Sequence, residues 1–370
     1  MSAILMLQDG TVLKGTAIGS AGTALGEVVF NTSMTGYQEM LSDPSYGGQI
    51  LTFTYPLIGN YGVSERDFES DRVQVEGVVM RELCDAPNHW RSGGTLADFL
   101  LRHKVVGIAG IDTRSLTRHL RDVGVLAGGI TSELTERELR ERLEQAPRYD
   151  SLDFVKQVST DAPYHFVADP EGPEASPQAL PPSPARGKRI AVLDLGVKRN
   201  ILRRLCGLGC ELTVYPAGAS ADQLLSEDPD GVLVSPGPGD PKLLGYVVEA
   251  TKGVVGKKPL LGICLGHQAL AHAFGGDTFK LKFGHRGGNH PVKDLATDQV
   301  TITSQNHGFA VDAQSLEGTG LEVARVNLND GTVEGMRHRE LPIWSIQYHP
   351  EASPGPWDSD SLFCEFLKGL

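Results

Sequence analysis

The pattern of apolar positions predicts a mixture of strands and helices in the first part of the chain. Short apolar or alternating runs, separated by turn signals, predict strands at 3–7, 27–30, 49–54 and 72–80. Helical patterns, each with a capping or acidic residue near its start, follow at 95–103, 115–123 and 135–146. We therefore expect an N-terminal α+β domain, rich in β-structure at its start, over residues 1–150.

A different pattern begins at residue 188. Continuous apolar runs predict buried strands at 189–193, 211–215, 231–234 and 259–263. Helical patterns lie between and after them, at 199–208, 222–227, 242–253 and 267–274. Buried strands that alternate with helices are typical of a parallel sheet covered on both faces. The expected fold of residues 188–370 is thus an α/β domain with a mostly parallel sheet flanked by helices.

Residues 151–187 separate these two regions and are rich in proline. They include Asp169-Pro-Glu-Gly-Pro173 and Pro181-Pro-Ser-Pro184, a composition that is typical of an extended linker. A chain of 370 residues is also long enough for two cores. We expect two domains joined by this linker.

Composition limits the kinds of partner that the protein can bind and indicates the cellular compartment. The formal net charge is −12, which disfavours a basic nucleic-acid interface and binding to an anionic membrane surface. Five sparse cysteines fit reduced thiols in the cytoplasm, and their spacing offers no good metal site. The first ten residues lack the basic and apolar regions of a signal peptide, and no apolar stretch is long enough to span a bilayer.

Cys264 lies between a predicted strand and a predicted helix, in the run Gly262-Ile-Cys-Leu-Gly-His-Gln268. A strand, a tight turn and a helix would hold the thiol at a nucleophile elbow. The positive end of the helix dipole would favour negative charge on sulfur there. The alternative is a buried structural cysteine, which is common, and this segment alone does not decide between the two.

Two other predicted strands end in chemically suggestive residues. His349 and Glu351 are two positions apart, so an extended backbone would place both side chains on one side, where the carboxylate could orient the imidazole. With a cysteine they would form an acyl-transfer set. The turn 235–240 contains Gly237 and Gly239, whose N–H groups could stabilise an oxyanion together with the N–H of Leu265. The alternative for His349 and Glu351 is a turn that carries them on the surface, and the alternative for residues 235–240 is an ordinary tight turn.

These residues resemble a known family. Gly262-Ile-Cys-Leu-Gly-His-Gln268, Ser235-Pro-Gly-Pro-Gly-Asp-Pro241 and Tyr348-His-Pro-Glu351 stand in the order found in triad-type, class I glutamine amidotransferases. The resemblance covers nearly all of residues 188–370. It implies that Cys264 attacks the side-chain amide of glutamine, that His349 acts as base and acid, and that Glu351 orients His349.

The first domain resembles the small-chain family of carbamoyl-phosphate synthase. The similar segments are 30–39, 43–46, 55–60 and 107–120, and the same family shares 194–202 and 304–311. The resemblance implies that eight residues contact L-glutamine: Ser45, Gly237, Gly239, Leu265, Gln268, Asn306, Gly308 and Phe309. His307 is expected in a supporting role.

The resemblance also implies a partner. A large subunit would bind ATP, Mg and bicarbonate, while this chain would carry no cofactor and no metal and would deliver ammonia through an internal passage. We expect a heterodimer, or an oligomer of heterodimers, in which residues 1–150 dock the large subunit. Two alternatives stay open at this point: an amidotransferase serving another synthetase, and a non-catalytic scaffold.

Overall fold

The computed structural model describes residues 1–167 and 186–370, which form two compact units. The first unit comprises 1–152 with 282–286, and the second comprises 153–281 with 287–370. Most of the proline-rich segment, 168–185, lies outside the described residues. The start of the predicted linker contains a helical turn, Val155–Val158, and a strand, Tyr164–Phe166. Each helix in the described part of the chain is too short or too polar to cross a bilayer.

Strands dominate the first unit. They are β1 (Ser2–Leu7), β2 (Val12–Gly19), β3 (Thr23–Asn31), β4 (Gln49–Phe53), β5 (Leu57–Ile58), β6 (Gly77–Val79), β7 (Glu82–Leu83), β8 (Val106–Ala109) and β9 (Leu126–Thr131). Seven of them close a barrel in the order β1-β2-β8-β6-β4-β3-β9, and β5 pairs with β7 separately. The predicted β-rich start is present, but its closure into a barrel was not predicted.

Four α-helices accompany the barrel: α1 (Tyr37–Ser42), α2 (Leu96–Arg102), α3 (Thr113–Val123) and α4 (Glu136–Gln145). Helix α4 starts with a capping box between Thr135 and Glu138, which is consistent with the capping or acidic residue expected near its start. The strand predicted over 72–80 is wrong for its first part, because only Gly77–Val79 pairs as a strand. Gln74 instead donates its backbone N–H to Leu41 O, at a distance of 2.8 Å.

The second unit contains one mixed sheet. Its strands are β10 (Tyr164–Phe166), β11 (Arg189–Asp194), β12 (Glu211–Pro216), β13 (Gly231–Val234), β14 (Leu260–Ile263), β15 (Thr278–Asp294, of which 282–286 belong to the first unit), β16 (Val300–Val311), β17 (Leu321–Asn327), β18 (Val333–His338) and β19 (Ile343–Ile346). Their order is β10-β12-β11-β13-β14-β19-β18-β17-β15-β16.

The expectation of a mostly parallel sheet is correct only for its centre. Strands β12, β11, β13, β14 and β19 are parallel. β10, β17 and β18 are antiparallel to their neighbours, as is the β15–β17 pair. The short connection 328–332 between β17 and β18 allows only an antiparallel pairing, since a parallel one needs a long crossover.

Helices cover both faces of the parallel centre, as predicted. They are α5 (Val155–Val158), α6 (Arg199–Gly207), α7 (Ala221–Leu225), α8 (Gly245–Val254), α9 (Leu265–Ala273) and α10 (Ser361–Lys368). Alternate residues of β11 separate into two cores: Val192 packs with α6 and α10, whereas Leu193 packs with α7, α8 and α9. The carboxyl ends of β13, β14 and β19 meet at one edge of this sheet, where open α/β folds place their sites.

Candidate active site

Cys264 occupies a sharp bend between β14 and α9. Its backbone has φ 53° and ψ −105°, a conformation that non-glycine residues rarely adopt and that costs free energy. The bend is held by a hydrogen bond from the Cys264 N–H to Ile346 O, at 2.8 Å. The side chain is buried, with 2% of its surface exposed. The geometry is that of the predicted nucleophile elbow.

Two glycines make this bend possible. A Cβ on Gly266 would lie 2.0 Å from the carbonyl oxygen of Val234, and a Cβ on Gly262 would lie 2.7 Å from that of Gly266. Real Cβ atoms do not approach backbone oxygens so closely, so any side chain at these positions would displace the strand or the helix. The spacing of glycines around Cys264 is therefore a packing requirement of the elbow.

His349 and Glu351 lie together after β19, as their spacing predicted. His349 Nδ1 donates to Glu351 Oε1 at 2.8 Å, and both side chains are buried. The His349 backbone N–H donates to Ser304 O at 2.9 Å, which fixes the segment. The Cys264 thiol interacts with the His349 ring, although Nε2 lacks a hydrogen bond of regular geometry in the described residues. Thiol, imidazole and carboxylate thus follow one another in space.

Neighbouring opposite charges shift the pKa values of His349 and Glu351. Burial lowers the pKa of His349, but the charge of Glu351, the adjacent Cys264 thiol and the hydrogen bond with Glu351 outweigh it, so the pKa is raised above its ordinary value. Burial raises the pKa of Glu351, but the charges of Lys198 and His349 reverse this effect and lower it. The site therefore favours an imidazolium beside a carboxylate.

Lys198 is a residue of this site that sequence reasoning missed. Its Nζ lies 3.0 Å from Glu351 Oε1 and donates to Ala352 O at 2.7 Å, and its side chain is 2% exposed. Asn200 Nδ2 donates to Glu351 O at 2.7 Å. Both residues belong to the segment 194–202 that resembled the small-chain family, but nothing in that segment pointed to a carboxylate 153 positions away.

The turn 235–240 follows β13 and is tightly packed. A Cβ on Gly237 would lie 2.1 Å from Leu195 O and 2.9 Å from a Leu265 methyl group, so this glycine lies beside the start of α9. Gly239 has φ 97°, which suits glycine. The N–H of Leu265, the first residue of α9, has no partner within its helix. These are the backbone elements that were predicted to form an oxyanion site.

Strand β16 brings three predicted residues to the same region. Cys264 Sγ lies 3.7 Å from Asn306 O, and Gln268 Nε2 donates to Phe309 O at 2.9 Å. Gly308 lies between them on β16. His307 Nδ1 contacts Phe309 O at 2.7 Å, and its Nε2 contacts Gln305 Oε1 at 2.9 Å. His307 therefore supports the strand that presents Asn306 and Phe309.

Ser45 belongs to the first unit. It lies in the short 3₁₀-helix Pro44–Tyr46, and its N–H donates to Asp43 Oδ1 at 2.9 Å. Its side chain is buried, and its hydroxyl has no hydrogen-bond partner among the described residues. Its expected contact with glutamine stays a prediction.

Comparison with known proteins assigns this chain to a family. The model for the carbamoyl-phosphate synthase small chain, CPSase domain, matches residues 5–130, and the model for glutamine amidotransferase class I matches residues 191–368. A carbamoyl phosphate synthase small chain from Syntrophotalea carbinolica is 51% identical over 99% of this chain and 97% of its own length. This chain belongs to the carbamoyl phosphate synthase small chain family.

Relatives of other origin agree with this assignment. The carbamoyl phosphate synthase small chain of Thermosynechococcus vestitus is 51% identical over 100% of this chain and 96% of its own length. That of Bacillus caldolyticus is 50% identical over 99% and 96%. Because the likeness includes the first unit, membership in the carbamoyl phosphate synthase small chain family decides against an amidotransferase that serves another synthetase.

Proposed function

We propose that this chain is the glutamine-hydrolysing chain of carbamoyl phosphate synthase, with Cys264 as nucleophile. The observation that carries the proposal is the arrangement of Cys264, His349 and Glu351, with a 2.8 Å hydrogen bond between the last two. A positioned base next to a thiol, itself oriented by a carboxylate, is the arrangement that covalent acyl transfer needs. Membership in the small-chain family supports L-glutamine as the substrate.

The reaction proceeds in two halves. Cys264 Sγ attacks the side-chain amide carbon of glutamine and forms a C–S bond, and His349 holds the proton that the thiol has given up. His349 then gives that proton to the amide nitrogen, the C–N bond breaks and ammonia leaves. In the second half, His349 takes a proton from water, the hydroxide attacks the thioester, and glutamate leaves as the proton returns to sulfur. Glu351 orients His349 and stabilises its charged form.

Charge develops on the carbonyl oxygen in both halves. The Leu265 N–H, unpaired within its helix, together with the turn that contains Gly237 and Gly239, stabilises this oxyanion. The tight packing of Gly237 against Leu195 O supports this role, because it fixes the turn beside the nucleophile. The elbow presents sulfur and the Leu265 N–H to the same carbonyl group.

Glutamine is bound by residues drawn from several elements. The proposed contacts are Ser45, Gly237, Gly239, Leu265, Gln268, Asn306, Gly308 and Phe309. The short distances from Cys264 to Asn306 O and from Gln268 to Phe309 O support the grouping within the second unit. His307 supports this site by its bonds to Phe309 O and Gln305.

Membership in the small-chain family implies a large subunit as the partner of this chain. We infer that the large subunit binds ATP and Mg and uses bicarbonate and the released ammonia to make carbamoyl phosphate for arginine and pyrimidine synthesis in the cytoplasm. This chain then needs no cofactor of its own. Residues 1–150 dock the large subunit, and residues 188–370 carry the amidotransferase chemistry. The two chains form a heterodimer.

Replacement of Cys264 by serine tests the assignment of the nucleophile. The complex with the large chain should lose glutamine-dependent synthesis of carbamoyl phosphate, since a serine hydroxyl is a much weaker acid and nucleophile than a thiol. Synthesis from added ammonia should continue at the original rate, which serves as the internal control. Glutamine-dependent synthesis at the original rate would show that Cys264 is not the nucleophile.

A further inference from the structure

Gln347 has a buried side chain that the reaction described above does not use. It lies two residues before His349, and its side chain is 0% exposed. Its Oε1 accepts a hydrogen bond from Gln268 Nε2 at 3.0 Å. Its own Nε2 is buried and has no hydrogen-bond partner in the described residues. A buried donor without an acceptor costs stability, so a purely structural role for this amide is poorly supported.

Two hydrogen bonds fix the orientation of the Gln268 side-chain amide. Gln268 Nε2 donates one hydrogen to Phe309 O at 2.9 Å and the other to Gln347 Oε1 at 3.0 Å. Both partners are acceptors, so a rotated amide would set Gln268 Oε1 against two oxygens. Gln268 Oε1 is thereby held as an acceptor, and the described residues provide no donor to it.

The amide of Gln268 is fixed to the same framework as the nucleophile. The Gln268 N–H donates to Cys264 O at 3.2 Å, one helical turn along α9. A second contact joins α9 to the same strand face, because His267 Nδ1 lies 2.9 Å from Ser345 Oγ. Ser345, Gln347 and His349 are every second residue along β19 and its extension, so their side chains lie on the same side. Ser345 contacts His267 of α9, Gln347 contacts Gln268 of α9, and His349 follows.

We propose that Gln347 is a positioning residue for substrate selection: it holds the Gln268 amide with Oε1 as a fixed acceptor for a nitrogen donor of the bound substrate. Glutamine offers such donors in its ammonium and amide groups, whereas a rotated Gln268 would present N–H groups to them. A site whose polar groups are fixed in this way discriminates strongly, because a wrong partner leaves them unpaired. This inference rests on the proposed glutaminase function.

Steady-state kinetics of Gln347→Leu, in the full chain with the large chain present, test the proposal. Leucine removes the acceptor, so the Gln268 amide can rotate. We expect KM for glutamine to rise by roughly 10-fold or more, with kcat changed much less and with alkylation of Cys264 by iodoacetamide at the original rate. The thermal midpoint should change little, because the unpaired Gln347 Nε2 is removed while one Gln268 N–H loses its acceptor.

Two further variants separate positioning from a structural role. Gln347→Glu keeps an acceptor oxygen for Gln268, and burial favours its neutral form, so KM should return towards the original value. Gln223→Leu, which removes the capping box of α7 far along the chain, should lower the thermal midpoint slightly without changing KM.

The outcomes of this experiment are distinct. An unchanged KM in Gln347→Leu, or a fall in thermal midpoint with a proportional fall in activity, would overturn the positioning role. If the original chain itself failed to hydrolyse glutamine, the proposed function would fail instead.

Discussion

Lys198 Nζ lies 3.0 Å from Glu351 Oε1, with the two side chains 2% and 0% exposed. Glu351 is thus shared by two cationic partners, Lys198 and His349. Lys198 lowers the pKa of Glu351 after burial has raised it, and the resulting carboxylate raises the pKa of His349. A buried lysine therefore acts on the candidate base through the carboxylate between them.

Lys198→Met should destabilise the fold strongly. Removing Lys198 leaves Glu351 with His349 as its remaining cationic partner, and breaking a buried ion pair typically costs about 3–5 kcal/mol. Urea denaturation of the full chain measures the change in free energy of unfolding. Lys252→Met is the matched control, since it removes the exposed Lys252–Glu249 pair on α8 and should cost only about 0.3–0.5 kcal/mol. Equal losses for both variants would contradict the importance of the buried pair.

Gly266→Ala should disturb the elbow. The new Cβ would lie 2.0 Å from Val234 O, so strand or helix must shift. We expect a loss of about 1–3 kcal/mol in the free energy of unfolding and a fall in glutaminase rate on the order of 10²-fold, because a small misplacement of a nucleophile is costly. Thermal unfolding and initial-rate assays measure the two effects.

Gly207→Ala is the control for that substitution. Gly207 ends α6, and a Cβ there meets no atom within 4 Å. Alanine should therefore stabilise the chain by about 0.5–1 kcal/mol and leave glutamine hydrolysis unchanged. If Gly266→Ala behaved like Gly207→Ala, the packing account of the elbow would be wrong.

His349→Asn should change how stability depends on pH. The pKa of His349 is raised in the folded chain, above an unfolded value of about 6.5. Such a group contributes stability that is complete below the unfolded pKa and is lost as pH rises through the folded pKa. The stability advantage of the original chain over the variant should thus be largest below about pH 6.5 and shrink as the pH rises to about 10, as urea denaturation at each pH would show.

His272→Asn should give the opposite slope. Burial lowers the pKa of His272, so protonation favours the unfolded chain. The original chain should lose stability relative to this variant as pH falls below about 6.5. The two slopes distinguish a histidine stabilised by a carboxylate from one that is merely buried, and slopes of the same sign would contradict the account.

The sequence was sufficient for those parts of the site that depend on local geometry. The elbow at Cys264 follows from a strand, a helix pattern and glycines within seven residues, and the contact of His349 with Glu351 follows from their spacing. The parallel centre of the second unit follows from alternating strands and helices. Each of these inferences uses positions that are neighbours in the chain.

Features that depend on distant pairing could not be predicted. Closure of the barrel rests on β1 pairing with β9 across more than a hundred residues, and the antiparallel arm rests on the register of β15 to β18. Lys198 was missed because lysine is normally a surface residue, and only folding brings it to Glu351. The Gln268–Gln347 contact was missed for the same reason, since 79 positions separate the two residues.

Rapid mixing of the complex with glutamine, followed by an acid quench and mass mapping of peptides, tests the central claim most directly. The account predicts a glutamyl adduct on the peptide that contains Cys264, formed before steady state and absent from Cys264→Ser. His349→Asn should slow its formation by roughly 10²–10⁴-fold. Glutamine hydrolysis without an adduct, or an adduct on any other cysteine, would contradict the assignment of Cys264 as the nucleophile.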